Sequence, residues 1–193
     1  MTTVEIPLRT RLRERISKEE RKLFLQQNVN KYLLTTRFSD DTWKENHAYL
    51  QKQPKIKCIY CSPYGVSTNI PIKTMLFVLE MNNSNNQIMG VGLVRNEPWR
   101  EQECFRVYKN GYYNLTAYIG YHRLSREELC EDTIHNVKIW EELEHICFKG
   151  KGHLKMGSGM TSFPIHVLHR LKEHHIDVLE WLSSKFKEKY KSK

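Results

Sequence analysis

The chain has 193 residues, with 31 Lys and Arg against 22 Asp and Glu, a formal net charge of +9. Hydrophobic residues at 39% and aromatics at 11% exclude a wholly disordered chain. No apolar run approaches the ~18 residues of a membrane span, and the opening stretch lacks the apolar segment of a secretory leader. The length suits one domain of roughly 100–200 residues with arms. Residues 1–22 carry a net +3 and residues 184–193 a net +4, so the body between them is nearly neutral. A basic surplus favours polyanionic partners, and here it sits mainly in the two ends.

Residues 1–16 read as a basic arm. Arg9, Arg11, Arg13 and Arg15 alternate with other residues, which places them on one side of an extended chain. Ser17 and Glu20 match a capping box, predicting a helix over 18–34 with Leu25, Val29, Tyr32 and Leu33 on one face. Ser39 then caps a short helix through Trp43 and Tyr49 that Pro54 ends.

From residue 55 the pattern changes to strand. Residues 55–60 read as one strand, and residues 74–81 (TMLFVLEM) form an apolar run expected of a buried strand. An Asn-rich loop joins this run to residues 87–95 (QIMGVGLVR), a hairpin signal. Residues 104–109 and 113–123 predict a second hairpin around Asn110 and Gly111. The middle third, about 55–123, therefore reads as a β-meander.

Ser125 and Glu128 form another capping box, and Val137, Trp140, Leu143 and Cys147 recur at helical spacing. A Gly- and Lys-rich loop fills 149–159. Pro164 suits a helix start, and an apolar stripe through Leu168, Leu171, Val178, Leu182 and Phe186 continues to a basic tail at 184–193, with a break near His174–Asp177. The expected architecture is α+β: a central antiparallel sheet or small barrel flanked by N- and C-terminal helices, in one domain over 17–183.

Five cysteines and no leader point to reduced thiols in an intracellular compartment, cytoplasm or nucleus. Cys58 and Cys61 form a CxxC, which is half of a zinc site or two ordinary thiols on a strand. His166 and His169 stand three apart on a helix, but no carboxylate accompanies them as in a metalloprotease helix. No cofactor, metal site or catalytic constellation is expected from these spacings.

Three features carry the binding argument. Lys149, Lys151 and Lys155 interleave with glycines whose amides can converge on an anion, and Gly157, Ser158 and Gly159 precede a helix. The alternative is a tight connection with solvated lysines. Trp99 lies between Arg95 and Arg100, and Tyr112 and Tyr113 adjoin the Asn-Gly turn, so aromatics interleave with Arg as in base-stacking surfaces, or pack on the sheet's rim. The arginine arm is suited to forking onto phosphates.

The stretch TMLFVLEMNNSNNQIMGVGLVRN at 74–96, with its Met89, Gly90, Val91 and Gly92 pattern, resembles the strand–loop–strand core of the PUA-like superfamily, which includes EVE, YTH and ASCH domains. The resemblance covers about 25 residues, 50 if 113–123 and 146–160 close the structure. It implies a small β-barrel that binds RNA or DNA, often around a flipped or modified base, with Trp99 nearest to a base-facing aromatic. The Asn-, Lys-, Ile- and Tyr-rich composition also resembles that of AT-rich genomes, large DNA viruses among them. The expected function is non-enzymatic nucleic-acid binding without a membrane partner. The alternatives are a structural or assembly protein with protein partners, and a nucleic-acid-processing enzyme using Cys or His.

Overall fold

The computed structural model describes residues 12, 14–99, 105–130 and 133–191. Ser17 opens α1 (Lys18–Gln27) through a reciprocal capping box: its hydroxyl accepts from Glu20 N at 3.1 Å, while Glu20 accepts from Ser17 N at 2.7 Å. The helix then stops seven residues short of the predicted end. Asn30 adopts a left-handed φ of 62°, and the chain turns into β1 (Lys31–Phe38). The β-branched and aromatic residues of KYLLTTRF are at home in a pleated sheet, and pairing with a distant strand outweighs the local helical period of Leu25, Val29, Tyr32 and Leu33. Ser39 caps α2 (Asp40–Gln51) as expected.

After α2 come β2 (Cys58–Ser62), β3 (Met75–Asn82), β4 (Gln87–Arg95), β5 (Thr116–Gly120) and β6 (His122–Ser125). Ser125 and Glu128 form the expected box and open α3 (Arg126–Cys130). Then follow α4 (Ile134–Phe148), β7 (Thr161–Ser162), α5 (Ile165–Glu173) and α6 (Val178–Lys191), with His175 at a left-handed φ of 64° in the predicted break.

The fold is α+β. Its main sheet runs β6-β4-β3-β1-β7 and is mixed, because β1 lies parallel to β3. β3 and β4 form the predicted hairpin. Among the described residues the second predicted hairpin does not form. Asn110 instead accepts from Tyr112 N and opens a 3-10 turn (Gly111–Asn114), and β5 pairs antiparallel with β2, far back in the chain. The middle third is thus not a meander, and the sheet core reaches back to residue 31. Among the described residues the five-stranded sheet stays open and the β2–β5 pair is a separate ribbon, so the strands do not close into a barrel.

Two apolar cores flank the main sheet. Leu33, Phe77, Leu79 and Val91 pack under α4, α5 and α6 with Trp140, Leu171 and Leu182. On the other face Leu34, Leu76, Val78 and Val94 meet the β2–β5 ribbon and Phe38, with Trp43 and Tyr49 of α2 packed against them. Burial of a large apolar side chain contributes about 1.5–3 kcal/mol, so these two layers account for the sandwich. The described parts of both charged ends join the body. Leu12 is 4% exposed within the helical core, and residues 184–191 continue α6, where Phe186 is buried. Val137, placed by period on the apolar face of α4, is exposed. Among the described residues no helix is long and apolar enough to cross a membrane.

A buried polar cluster joins sheet and ribbon. Glu80 accepts from Tyr60 Oη at 2.8 Å and from Arg123 Nε and Nη2 at 3.0 and 2.6 Å. Burial alone would lower the arginine pKa, but the Glu80 carboxylate outweighs it and raises it. Gly92 makes room for this cluster, since a Cβ there would lie 1.9 Å from Tyr60 Oη. The glycine pattern of β4 therefore has a packing reason of its own.

Candidate nucleic-acid interface

The chain brings together, at the C-terminal end of β1, several residues that are far apart in sequence. A cleft of about 280 Å³ lies there, bounded by Arg37, Asn83, Tyr108, Tyr113 and the loop Gly157–Gly159. Its walls also carry the hydroxyls of Thr36 and Thr42 and the thiol of Cys61. Burial pushes that thiol up to about 12, so it is a neutral wall atom at physiological pH.

Arg37 fixes the loop. Its Nε donates to Leu154 O at 2.6 Å, Nη2 to Thr161 Oγ1 at 2.9 Å and Nη1 to Gly159 O at 3.5 Å. Among the described residues it makes no ion pair. Burial lowers its pKa, yet a guanidinium stays charged at neutral pH. The cleft wall thus carries a positive charge that neutral carbonyls and a hydroxyl solvate. Gly159 has a φ of 70°, and a Cβ there would fall 2.8 Å from Ser62 Cβ, so the loop needs glycine at this point. Asn83 donates to Lys155 O at 3.1 Å, while its Oδ1 is buried without a partner. That oxygen is an acceptor waiting for a donor.

Tyrosines form the rim. Asn46 donates to Tyr108 Oη at 3.2 Å, and Asn114 brackets the Tyr108 backbone, so this ring is fixed. Tyr113 meets it edge-on at 6.4 Å, Tyr112 follows at 6.0 Å, and the Tyr112 and Tyr64 hydroxyls lie 2.6 Å apart. Tyr64, Tyr112 and Tyr113 are exposed. A pocket with aromatic walls and a few convergent polar groups is the common form of a small-molecule or base site.

The residues singled out from sequence scatter. Arg9, Arg11, Arg13 and Arg100 lie outside the described residues, and Arg15 is exposed before α1. Arg95 pairs with Met75 at one end of β3, whereas Asn83 follows the other end. At ~3.3 Å per residue the two are roughly 25 Å apart. Trp99 is 54% exposed, bridges to Ala117 and meets Phe105 edge-on at 6.1 Å, outside the cleft. Lys155 stands beside the cleft loop and donates to Asn86 Oδ1 at 2.7 Å. Lys149 and Lys151 are exposed at the other half of the loop and line a separate cavity. Tyr112 and Tyr113 are brought to the cleft. The helix that starts beside Gly157–Gly159 is α2, through Ser39 and Thr42, rather than the one following in sequence. Arg37, Asn83, Tyr108 and Tyr64 form no local motif of a site, because only the long-range pairings β1–β3 and β2–β5 bring their segments together. An arginine interrupting a run of Thr and Phe at the strand's end was the available signal.

Metal chemistry finds little support in the arrangement of ligands. Cys58 and Cys61 are three apart on a strand and so point to opposite sides, Cys58 toward Gly92 and Cys61 into the cleft. They do not form the half-site that CxxC spacing allowed. Glu20, His169 and Glu173 offer ligand atoms within 4.8 Å of one another. Glu20, however, is engaged by Ser17 N at 2.7 Å and Glu173 by Arg170 at 2.8 Å, so both carboxylates already have structural partners. Burial also pushes up the thiols of Cys58 and Cys147, which leaves neither as a thiolate at neutral pH. No protein-family model, curated protein or solved structure matches this chain.

Proposed function

We propose that this protein binds nucleic acid without chemistry on it, taking one unstacked base into the Arg37 cleft while lysines of the Gly/Lys loop meet the adjoining phosphates. The observation that carries the reading is the cleft itself: a half-buried Arg37 guanidinium bonded, among the described residues, only to neutral oxygens and an orphan Asn83 oxygen beside a tyrosine rim. An arginine donor and an amide acceptor lining one cleft suit the mixed edge of a base, and Tyr113 offers a face for stacking. Lys155 beside the loop supplies charge for the backbone. We read the strand assembly as an open variant of the PUA-like arrangement, supported by the β3–β4 hairpin.

The test is anisotropy of a labelled single-stranded oligonucleotide. The expected result is saturable binding that weakens steeply with salt, and a loss of about tenfold in Tyr113→Ala, since stacking contributes ~1–3 kcal/mol per base. No change in anisotropy at about 50 mM salt would rule the reading out.

A further inference from the structure

A second cavity, of about 420 Å³, lies where the first half of the Gly/Lys loop meets the helices. Lys149, Lys151, His145 and His166 line it, with Leu12 and Pro164 among its other walls. Among the described residues no carboxylate lines it. Two of the last carbonyls of α4, which would repel an anion, are occupied: His145 O accepts from Lys149 N at 2.9 Å and Cys147 O from Leu154 N at 2.8 Å. The opposite wall is the start of α5, where Pro164 provides no side-chain cap. The positive end of that helix adds to the charge of the lysines. His166 also feels Arg15, Arg170 and Arg21, which together with burial hold its pKa below the ordinary histidine value. The positive charge on the cavity's lining at neutral pH is therefore that of Lys149 and Lys151, because His166 stays neutral and Arg170 nearby is paired with Glu173 and Glu14.

We propose that this cavity seats a terminal phosphate, a phosphomonoester or a pyrophosphate end. A terminal group carries about −1.5 to −2 at pH 7, which two lysines match, whereas an internal phosphodiester carries a single charge. Leu12, Ile146, Leu154 and Val167 give the cavity apolar walls, which suit a strand's end rather than a chain passing through. The terminal phosphate has two possible sources: the 5′ end of a nucleic acid, which rests on the reading above, and a free phosphate compound, which does not. Leu12 is buried at this cavity, so it and the Gly/Lys loop, separate in sequence, share its lining.

Calorimetry of the full chain with inorganic pyrophosphate tests the seat apart from any base. The expected result is saturable binding, weakened about tenfold or more in the Lys149→Ala/Lys151→Ala double variant at unchanged Tm. The second arm compares 5′-phosphorylated and 5′-hydroxyl forms of one oligonucleotide. An advantage of about tenfold for the phosphorylated form, abolished in the double variant, assigns the seat to a nucleic-acid end. Arg37→Met should weaken both oligonucleotides alike and leave pyrophosphate binding intact, which separates the two sites. Pyrophosphate binding with no 5′ preference assigns the seat to a free phosphate compound. No pyrophosphate binding and no 5′ preference overturns the proposal.

Discussion

Arg37 and Arg123 are both largely withdrawn from water, yet they are solvated in opposite ways. Arg123 meets Glu80 through Nε and Nη2, with Tyr60 completing the carboxylate's partners. Its charge is cancelled inside the fold, and Gly92 gives up its side chain to make the space. Arg37 holds three neutral oxygens and faces a cleft. A cancelled charge joins layers together. An uncancelled one, at the edge of a cavity, leaves electrostatic capacity for a ligand.

The largest effect expected from this contrast is at the sealed pair. Arg123→Ala strands Glu80 in a dry site and should cost about 3–5 kcal/mol in urea unfolding, while the folded fraction still binds oligonucleotide. A loss of binding without loss of stability would reverse the assignment of the two arginines. Next in size is the glycine that accommodates the pair. Gly92→Ala should cost about 1–3 kcal/mol by overpacking, and part of that should vanish in a Tyr60→Phe background, where the nearest atom is gone but Cys58 Sγ and Tyr60 Cζ remain 2.7 and 2.8 Å from the new methyl. Additive costs would mean that the hydroxyl is not what Gly92 accommodates.

The remaining effect concerns protons and is absent at neutral pH. Cys58 and Cys61 are each pushed up to about 12 by burial, from an ordinary value near 9, with Glu80 a further cause at Cys58. The folded state keeps these protons while the unfolded chain releases them. Stability is therefore fully present below pH 9 and falls as pH rises from there toward 12. Replacing both residues with Ala should flatten that alkaline limb of a stability–pH curve, and an unchanged limb would remove them as its cause.

Much of the fold was legible because it is local. The capping boxes at Ser17 and Ser125, the Ser39 cap, the β3–β4 hairpin and the terminal helices follow from short-range hydrogen bonding and period. β1 was not legible. Its Leu33 and Tyr32 continue a helical period from Leu25, and only parallel pairing with β3, 44 residues onward at Leu33 and Phe77, makes it a strand. The Asn-Gly turn misled for a related reason. Asn110 caps a turn locally, while the strand partner of Thr116–Gly120 is β2. The Gly/Lys loop was visible through its composition, but its division between two cavities was not, because Leu12, Arg37 and Pro164 reach it only in the fold.

The central claim is that the charge of Arg37 is reserved for a ligand, and one titration addresses it directly. Binding of a single-stranded oligonucleotide should be compared between the native chain and Arg37→Met, under conditions where circular dichroism shows both folded. The account predicts at least about tenfold weaker binding in Arg37→Met, as expected for loss of a charge-assisted contact. Equal affinity in the two folded proteins would contradict it.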